Sequence, residues 1–103
     1  MKRDWALIAL GAASVVGYAT IARAAGAVGF PLDDAWIHQT YARNLGLHGQ
    51  WAFILGQPSA GSTSPLWTTL LALGYALRID SGGWTLMLNA ILLGVTAWLA
   101  YRL

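Results

Sequence analysis

Residues 5–22 read WALIALGAASVVGYATIA, which is 18 consecutive residues without a charged side chain. A helix that crosses a bilayer needs about 20 predominantly apolar residues, so this stretch predicts a transmembrane helix over residues 5–24. Lys2 and Arg3 precede the stretch. Because Lys and Arg are in excess on the cytoplasmic side of membrane helices, they predict a cytoplasmic N-terminus.

The same N-terminal segment also fits a secretory signal peptide. Lys2 and Arg3, the apolar stretch and then Ala22-Arg23-Ala24 match a basic region, a hydrophobic region and a small-residue cleavage site. Asp4 within the basic region and the length of the apolar stretch favour a retained anchor instead. Both interpretations place the residues that follow outside the cytoplasm.

A second uncharged stretch covers residues 82–101, and Arg102 follows it. Twenty residues are long enough to cross the bilayer, and a helix that runs from outside to inside brings Arg102 to the cytoplasm, as the positive-inside preference requires. Residues 65–78 begin with Pro65 and follow Ser64, and Ser at the N-cap with Pro at the first helical position is a typical helix start. This middle segment is short for a span, so it predicts an interfacial or re-entrant helix.

The composition agrees with a membrane protein. Hydrophobic residues make up 57% of the chain and charged residues 10%, whereas soluble domains carry about a quarter charged residues. A net charge of +2 without a basic stripe argues against nucleic-acid binding. The chain is therefore predicted to be an all-α, multi-pass protein of the cell inner (plasma) membrane. Two transmembrane helices flank an extracytoplasmic loop, residues 33–64, with short amphipathic or juxtamembrane helices.

Residues 33–49, DDAWIHQTYARNLGLHG, predict a short amphipathic helix within the outer loop. Asp33 stands at the expected N-cap position, and Gly46 and Gly49 are signals for the C-terminal end. Apolar or aromatic residues recur at helical spacing. They are Trp36, Ile37, Tyr41 and Leu45, and the more polar side carries Asp34, His38 and Arg43.

Asp33 and Asp34 are the candidate catalytic residues. A carboxylate at the membrane surface can act as a general base toward an attacking hydroxyl. A nearby His38 or Arg43 can bind the phosphate of a departing lipid phosphate. A purely structural alternative stays open, since Asp33 could cap the helix and Asp34 could favour the positive end of its dipole. No cofactor is predicted, although one His and two Asp could hold a divalent cation.

The segment DDAWIHQTYARNL, a Gly-rich loop and then GSTSPLW together resemble the first outer loop of the GT-C superfamily of membrane glycosyltransferases. The likeness is to the branch of arabinofuranosyltransferase-like and mannosyltransferase-like proteins, which carry a DDAxIxxxYAxNL pattern and a GxTSPLW-like pattern at similar separation. It covers nearly the whole chain. Thr40 stands where many relatives have Arg, and the loop reads FILGQP where relatives often have an Asn-Pro-Gly turn.

The resemblance implies a polyprenyl-phosphate-linked sugar as donor and a glycan or lipid acceptor, with transfer to an extracytoplasmic hydroxyl and inversion. It assigns the essential acidic residue to Asp33, with Asp34 beside it. The residues predicted to bind substrate are His38, Tyr41, Arg43, Thr63 and Ser64.

Length sets the chain apart from such enzymes, which have many spans and several hundred residues. The resemblance therefore predicts that residues 1–103 are the N-terminal part of a GT-C-type transmembrane domain, inactive alone. The alternative is a small non-enzymatic membrane protein in which the loop serves binding or assembly.

Overall fold

The computed structural model describes residues 2–27, 29–30 and 32–103. Most of the described chain is helical, which confirms the all-α fold class. The helices are α1 (Lys2–Ala24), α2 (Asp33–His48), α3 (Pro65–Ala76) and α4 (Ser81–Arg102). The chain divides into two compact units. The helix-pair unit comprises residues 1–28 and 85–103, and the loop unit comprises residues 29–84.

In the helix-pair unit, α1 and most of α4 pack in opposite directions. Arg102 donates a hydrogen bond to Asp4, with Nη2 and Oδ2 3.0 Å apart. Farther along, a Cβ atom built on Gly11 would lie 2.9 Å from the backbone nitrogen of Gly94. The pairing of low residue numbers with high ones makes the two helices antiparallel. The two glycines allow a close backbone approach, as small residues do where membrane helices meet.

Both α1 and α4 are long and apolar enough to cross a membrane, by length and composition. Little of either helix is buried, whereas the core helix of a soluble protein is mostly buried. Each helix extends past its predicted bounds to include flanking charged residues, because backbone hydrogen bonding continues beyond the uncharged stretch. Exposed large apolar side chains on the two helices include Trp5, Leu10, Val16, Ile21, Met87, Ile91 and Leu99.

In the loop unit, α2 and α3 pack directly against each other. The contact is closest at Gly46, where an added Cβ atom would overlap the carbonyl oxygen of Ala72 and lie 2.9 Å from Cβ of Tyr75. The prediction that Gly46 marks the end of α2 is therefore wrong, since this glycine serves helix packing. The helix ends at His48, and Gly49 is its left-handed C-cap with φ 64°.

The start of α2 also differs from the prediction. Leu32 occupies the N-cap position in an extended conformation, and no side chain caps the helix. Asp33 and Asp34 are instead the first two helical residues, where the positive end of the helix dipole favours their charge. At α3, Ser64 does occupy the N-cap position and Pro65 the first helical position, although the Ser64 side chain makes no capping hydrogen bond.

The buried side of α2 is more polar than the sequence predicted. Trp36, expected on the apolar side, is 52% exposed, whereas His38, expected on the polar side, is 8% exposed. The reason is that hydroxyl and carbonyl groups of the loop after α2, rather than hydrocarbon, cover much of this side of the helix. Tyr41 and Ala42 are buried on the same helix.

Replacing Gly46 with alanine is expected to destabilise the loop unit. The new methyl group would force α2 and α3 apart against backbone atoms, and such overpacking typically costs about 1–3 kcal/mol. Thermal unfolding in detergent micelles, followed by tryptophan fluorescence, measures the change. Gly17→Ala is the matched control, because no atom lies within 4 Å of its Cβ position. Equal unfolding midpoints for the two variants would contradict the close packing at Gly46.

Candidate functional site

A cluster of three side chains, which we name the His38 cluster, joins α2, the loop and α3. Nδ1 of His38 lies 3.1 Å from Oγ of Ser62 and 3.2 Å from Oγ1 of Thr68. The two hydroxyl oxygens are 2.7 Å apart. His38 and Thr68 are both buried, so the cluster holds the loop against the two helices from within.

The two ring nitrogens of His38 have different surroundings. Nδ1 is engaged by the two hydroxyls, whereas Nε2 makes no hydrogen bond with the described residues. Among those residues, every fully buried side-chain nitrogen or oxygen has a hydrogen-bond partner. Because Nε2 has no such partner, it is not fully buried, although most of the His38 side chain is covered. Hydrogen bonding at one ring nitrogen fixes the orientation of the imidazole and leaves the other available to a ligand.

Tyr41 forms the second connection between α2 and the loop. The backbone N–H of Gly61 donates to the Tyr41 hydroxyl at 2.8 Å, and the hydroxyl oxygen of Ser59 lies 2.6 Å from it. The Tyr41 ring packs against Trp51 and Phe53, with centroid distances of 5.7 Å and 6.0 Å. The predicted substrate-binding Tyr41 is thus buried, and its hydroxyl is occupied within the protein.

Asn44 makes the third connection. Its side-chain nitrogen donates to the carbonyl oxygens of Ala52 at 2.8 Å and Phe53 at 3.0 Å. His38, Tyr41 and Asn44 are spaced three residues apart, so they follow one side of α2. Together they bind the loop, residues 49–64, along the helix.

The two candidate catalytic carboxylates lie at the surface. Asp33 and Asp34 are exposed and make no hydrogen bond or ion pair with the described residues. They are the only acidic residues between positions 5 and 79 of the sequence. Asp34 precedes His38 by four residues, which puts the two on the same side of α2. Neither carboxylate is used to hold the fold together.

Arg43 and the two hydroxyl residues of the second motif are also exposed. Arg43 follows His38 by five residues, which turns it to a different side of α2, so the structure does not bring these two predicted phosphate ligands together. Thr63 and Ser64 lie between Ser62 and the start of α3, outside the hydrogen-bonded cluster. Their hydroxyls are accessible beside the first turn of that helix.

No metal centre is formed by the acidic pair and His38. Among the described residues there is no group of three or more His, Asp or Glu side chains that could hold a metal ion. The burial of His38 against hydroxyls and the exposure of Asp33 and Asp34 explain why these three residues do not converge.

Several polar residues that organise the site were not predicted. They are Ser59, Ser62, Thr68 and Asn44. A signal was present in the sequence, because polar residues at positions 38, 41 and 44 form one stripe on a helix and the segment SAGSTS, residues 59–64, is rich in hydroxyls. Buried polar groups need partners, so such a stripe and such a segment are expected to meet.

Comparison of the chain with protein-family models, with curated proteins and with solved structures finds no match.

The two sequence motifs, residues 33–45 and 61–67, meet through the His38 cluster and the contact of Tyr41 with Gly61. They are therefore parts of one structural site.

Replacing Tyr41 with phenylalanine is expected to lower the stability of the loop unit by about 0.5–1.5 kcal/mol, because the hydrogen bonds of the Tyr41 hydroxyl with the Gly61 N–H and the Ser59 hydroxyl are lost. Hydrogen exchange should quicken at the Gly61 amide. Tyr18→Phe is the control, since Tyr18 is exposed and its hydroxyl makes no hydrogen bond with the described residues. Unchanged exchange at Gly61 in Tyr41→Phe would show that the hydroxyl does not hold the loop.

Proposed function

We propose that the chain is the N-terminal part of a GT-C-type membrane glycosyltransferase. The enzyme would transfer a sugar from a polyprenyl-phosphate donor to a hydroxyl of a glycan or lipid acceptor outside the cytoplasm. The observation that carries the proposal is the exposed, unpaired state of Asp33 and Asp34 at the start of α2. The proposal also draws on the resemblance of the two motifs, which the fold brings together.

The proposed reaction needs a base at the acceptor. One carboxylate takes the proton of the acceptor hydroxyl while its oxygen attacks the anomeric carbon, and the bond from that carbon to the phosphate oxygen breaks. The products are an inverted glycosidic bond and a free polyprenyl phosphate. A carboxylate already engaged inside the protein would accept this proton less readily, and Asp33 and Asp34 are not engaged. We assign the base to Asp33 from the resemblance, with Asp34 as its neighbour.

Hydrogen-bond donors on α2 and at the start of α3 suit the donor phosphate. If Nδ1 of His38 accepts from one of its two hydroxyl neighbours, Nε2 carries the ring hydrogen and can donate to a phosphate oxygen. Thr63 and Ser64 offer accessible hydroxyls beside the first turn of α3, where free backbone N–H groups also favour anions. Arg43 is an exposed cation that we assign to a separate contact with substrate or lipid headgroups.

We further propose that the protein lies in the inner (plasma) membrane with its N-terminus in the cytoplasm and residues 33–64 outside. The antiparallel packing of α1 and α4 supports this, because two crossing helices in opposite directions return the chain to its starting side. Lys2, Arg3 and Arg102 are then all cytoplasmic, as the positive-inside preference requires.

The middle helix fits the same topology. α3 has 12 residues, which corresponds to about 18 Å at 1.5 Å per residue. The hydrocarbon core is about 30 Å thick, so the length of α3 supports an interfacial or re-entrant position.

The topology predicts that a cysteine in place of His48 reacts with a membrane-impermeant thiol reagent in intact cells. His48 is exposed, and residues 1–103 contain no cysteine. Leu103→Cys is the control and should react only after lysis. Labelling of position 48 only in lysed cells would overturn the proposed orientation.

Replacing Asp33 with asparagine is expected to lower sugar transfer by about 10²–10⁴-fold, the usual contribution of a positioned acid–base group. Asparagine keeps the shape of the side chain but cannot take the proton. Because the Asp33 carboxylate makes no hydrogen bond with the described residues, insertion and folding should be unchanged. The assay measures transfer from a polyprenyl-phosphate sugar in membranes that contain the full-length product of the gene.

Asp34→Asn is the matched comparison and should have the milder effect, because the resemblance assigns the base to Asp33. Near-normal transfer by both single variants, at equal protein levels, would exclude the catalytic assignment. That result would favour the alternative of a non-enzymatic membrane protein with a binding or assembly loop.

A further inference from the structure

We propose that the tip of the outer loop, the three residues Phe53, Ile54 and Leu55, inserts into the outer leaflet of the bilayer as a shallow anchor. These three consecutive side chains are large, apolar and exposed, and Ile54 is 57% exposed. The inference rests on the proposed crossing of the membrane by α1 and α4. It does not depend on the proposed transfer of sugar.

The tip lies within a long uncharged part of the sequence. From position 44 to position 77 there is no Asp, Glu, Lys or Arg, although this range includes much of the surface of the loop unit. A loop in water normally carries charged residues. A charge close to the hydrocarbon boundary is costly, so the absence of charge on both sides of the tip suits contact with lipid.

Hydrogen bonds hold the tip in one shape. The N–H of Gln57 donates to the carbonyl of Ile54 at 3.0 Å, and the N–H of Gly56 donates to the side-chain oxygen of Gln50 at 2.8 Å. Gly56 has φ 80°, which glycine adopts without steric cost and which fits the third position of a type II turn. A fixed turn loses little conformational freedom on insertion.

The base of the tip is attached to the buried side of α2. The carbonyl of Phe53 accepts from Asn44, and the ring of Phe53 packs against Tyr41 while part of it stays exposed. The loop is therefore positioned by the helix on both sides of the tip, because it contacts α2 at the base of the tip through Phe53 and again after the tip through Ser59 and Gly61.

Lipid is the occupant that these observations favour over a protein partner. The three apolar side chains are consecutive residues at a tight turn, within a stretch of sequence that has no charged side chain. Trp51, two residues before the tip, is an aromatic residue of the kind enriched at headgroup level. In the sequence, connections of eight residues (25–32) and four residues (77–80) join the helices of the loop unit to the candidate spans, so the proposed insertion of the spans attaches the loop unit to the membrane.

The test uses the full chain, reconstituted in vesicles of phosphatidylcholine and phosphatidylglycerol, with a single cysteine labelled by the environment-sensitive fluorophore NBD. Ile54→Cys and Leu55→Cys carry the label at the tip, and both native side chains are exposed, so the substitutions remove little packing. His48→Cys is the control in the same unit. Interfacial apolar groups insert about 5–10 Å, so lipids with a nitroxide near the headgroup end of the acyl chain are the quenchers.

The expected result is a blue-shifted emission at positions 54 and 55, strong quenching by the nitroxide lipids and weak quenching by aqueous iodide. At position 48 the emission should not be blue-shifted, quenching by the nitroxide lipids should be weak and quenching by iodide should be strong. Iodide quenching at the tip equal to that at position 48 would overturn the proposal. Protection of the tip from both quenchers would also overturn it, because the side chains would then be covered by protein. The experiment does not measure sugar transfer, so its outcome does not depend on the result for Asp33→Asn. Failure of the proposed membrane anchor and failure of the proposed sugar transfer can therefore be distinguished.

Discussion

The burial of polar side chains on one side of α2 is the constraint on which the structure of the loop, residues 49–64, depends. His38, Tyr41 and Asn44 all turn inward, and a buried polar group without a partner costs about 1–3 kcal/mol. Hydroxyl and carbonyl groups of the loop satisfy these three side chains at three successive points along the helix. A segment that is mostly irregular is thereby held in one register against α2.

This arrangement divides the residues of the two motifs into two kinds. His38 and Tyr41 are largely buried and have hydrogen bonds inside the protein, so they position the loop. Asp33, Asp34 and the Thr63–Ser64 pair are exposed, so their polar groups are available to a ligand. The inward residues fix the distance between α2 and the start of α3. They therefore also fix the positions from which the exposed residues act.

The sequence predicted the helices well and their ends and sides less well. Uncharged stretches of about 20 residues predicted α1 and α4, because that length and composition are typical of a helix that can cross a membrane. The failures at Asp33 and Gly46 have another origin. The N-cap depends on the backbone of the preceding residue, and the role of Gly46 depends on contact with α3, which no local pattern contains. The burial of His38 likewise depends on contacts with hydroxyls 24 and 30 residues farther along the chain, which the helical pattern of α2 by itself does not contain.

The distribution of charge limits where an anionic substrate could lie. Asp33 and Asp34 are the only negative side chains between positions 5 and 79, and neither is neutralised by an ion pair with the described residues. Two like charges 4 Å apart repel by about 1 kcal/mol in water and by about 4 kcal/mol at an effective dielectric of 20. Under the proposed function, a donor phosphate would therefore bind at the hydrogen-bond donors of His38 and the start of α3 rather than directly beside the carboxylates, while the neutral sugar and the acceptor hydroxyl would lie nearer the acidic pair. The proposed inverting transfer would require such a separation, because the base and the leaving phosphate would stand on opposite sides of the anomeric carbon.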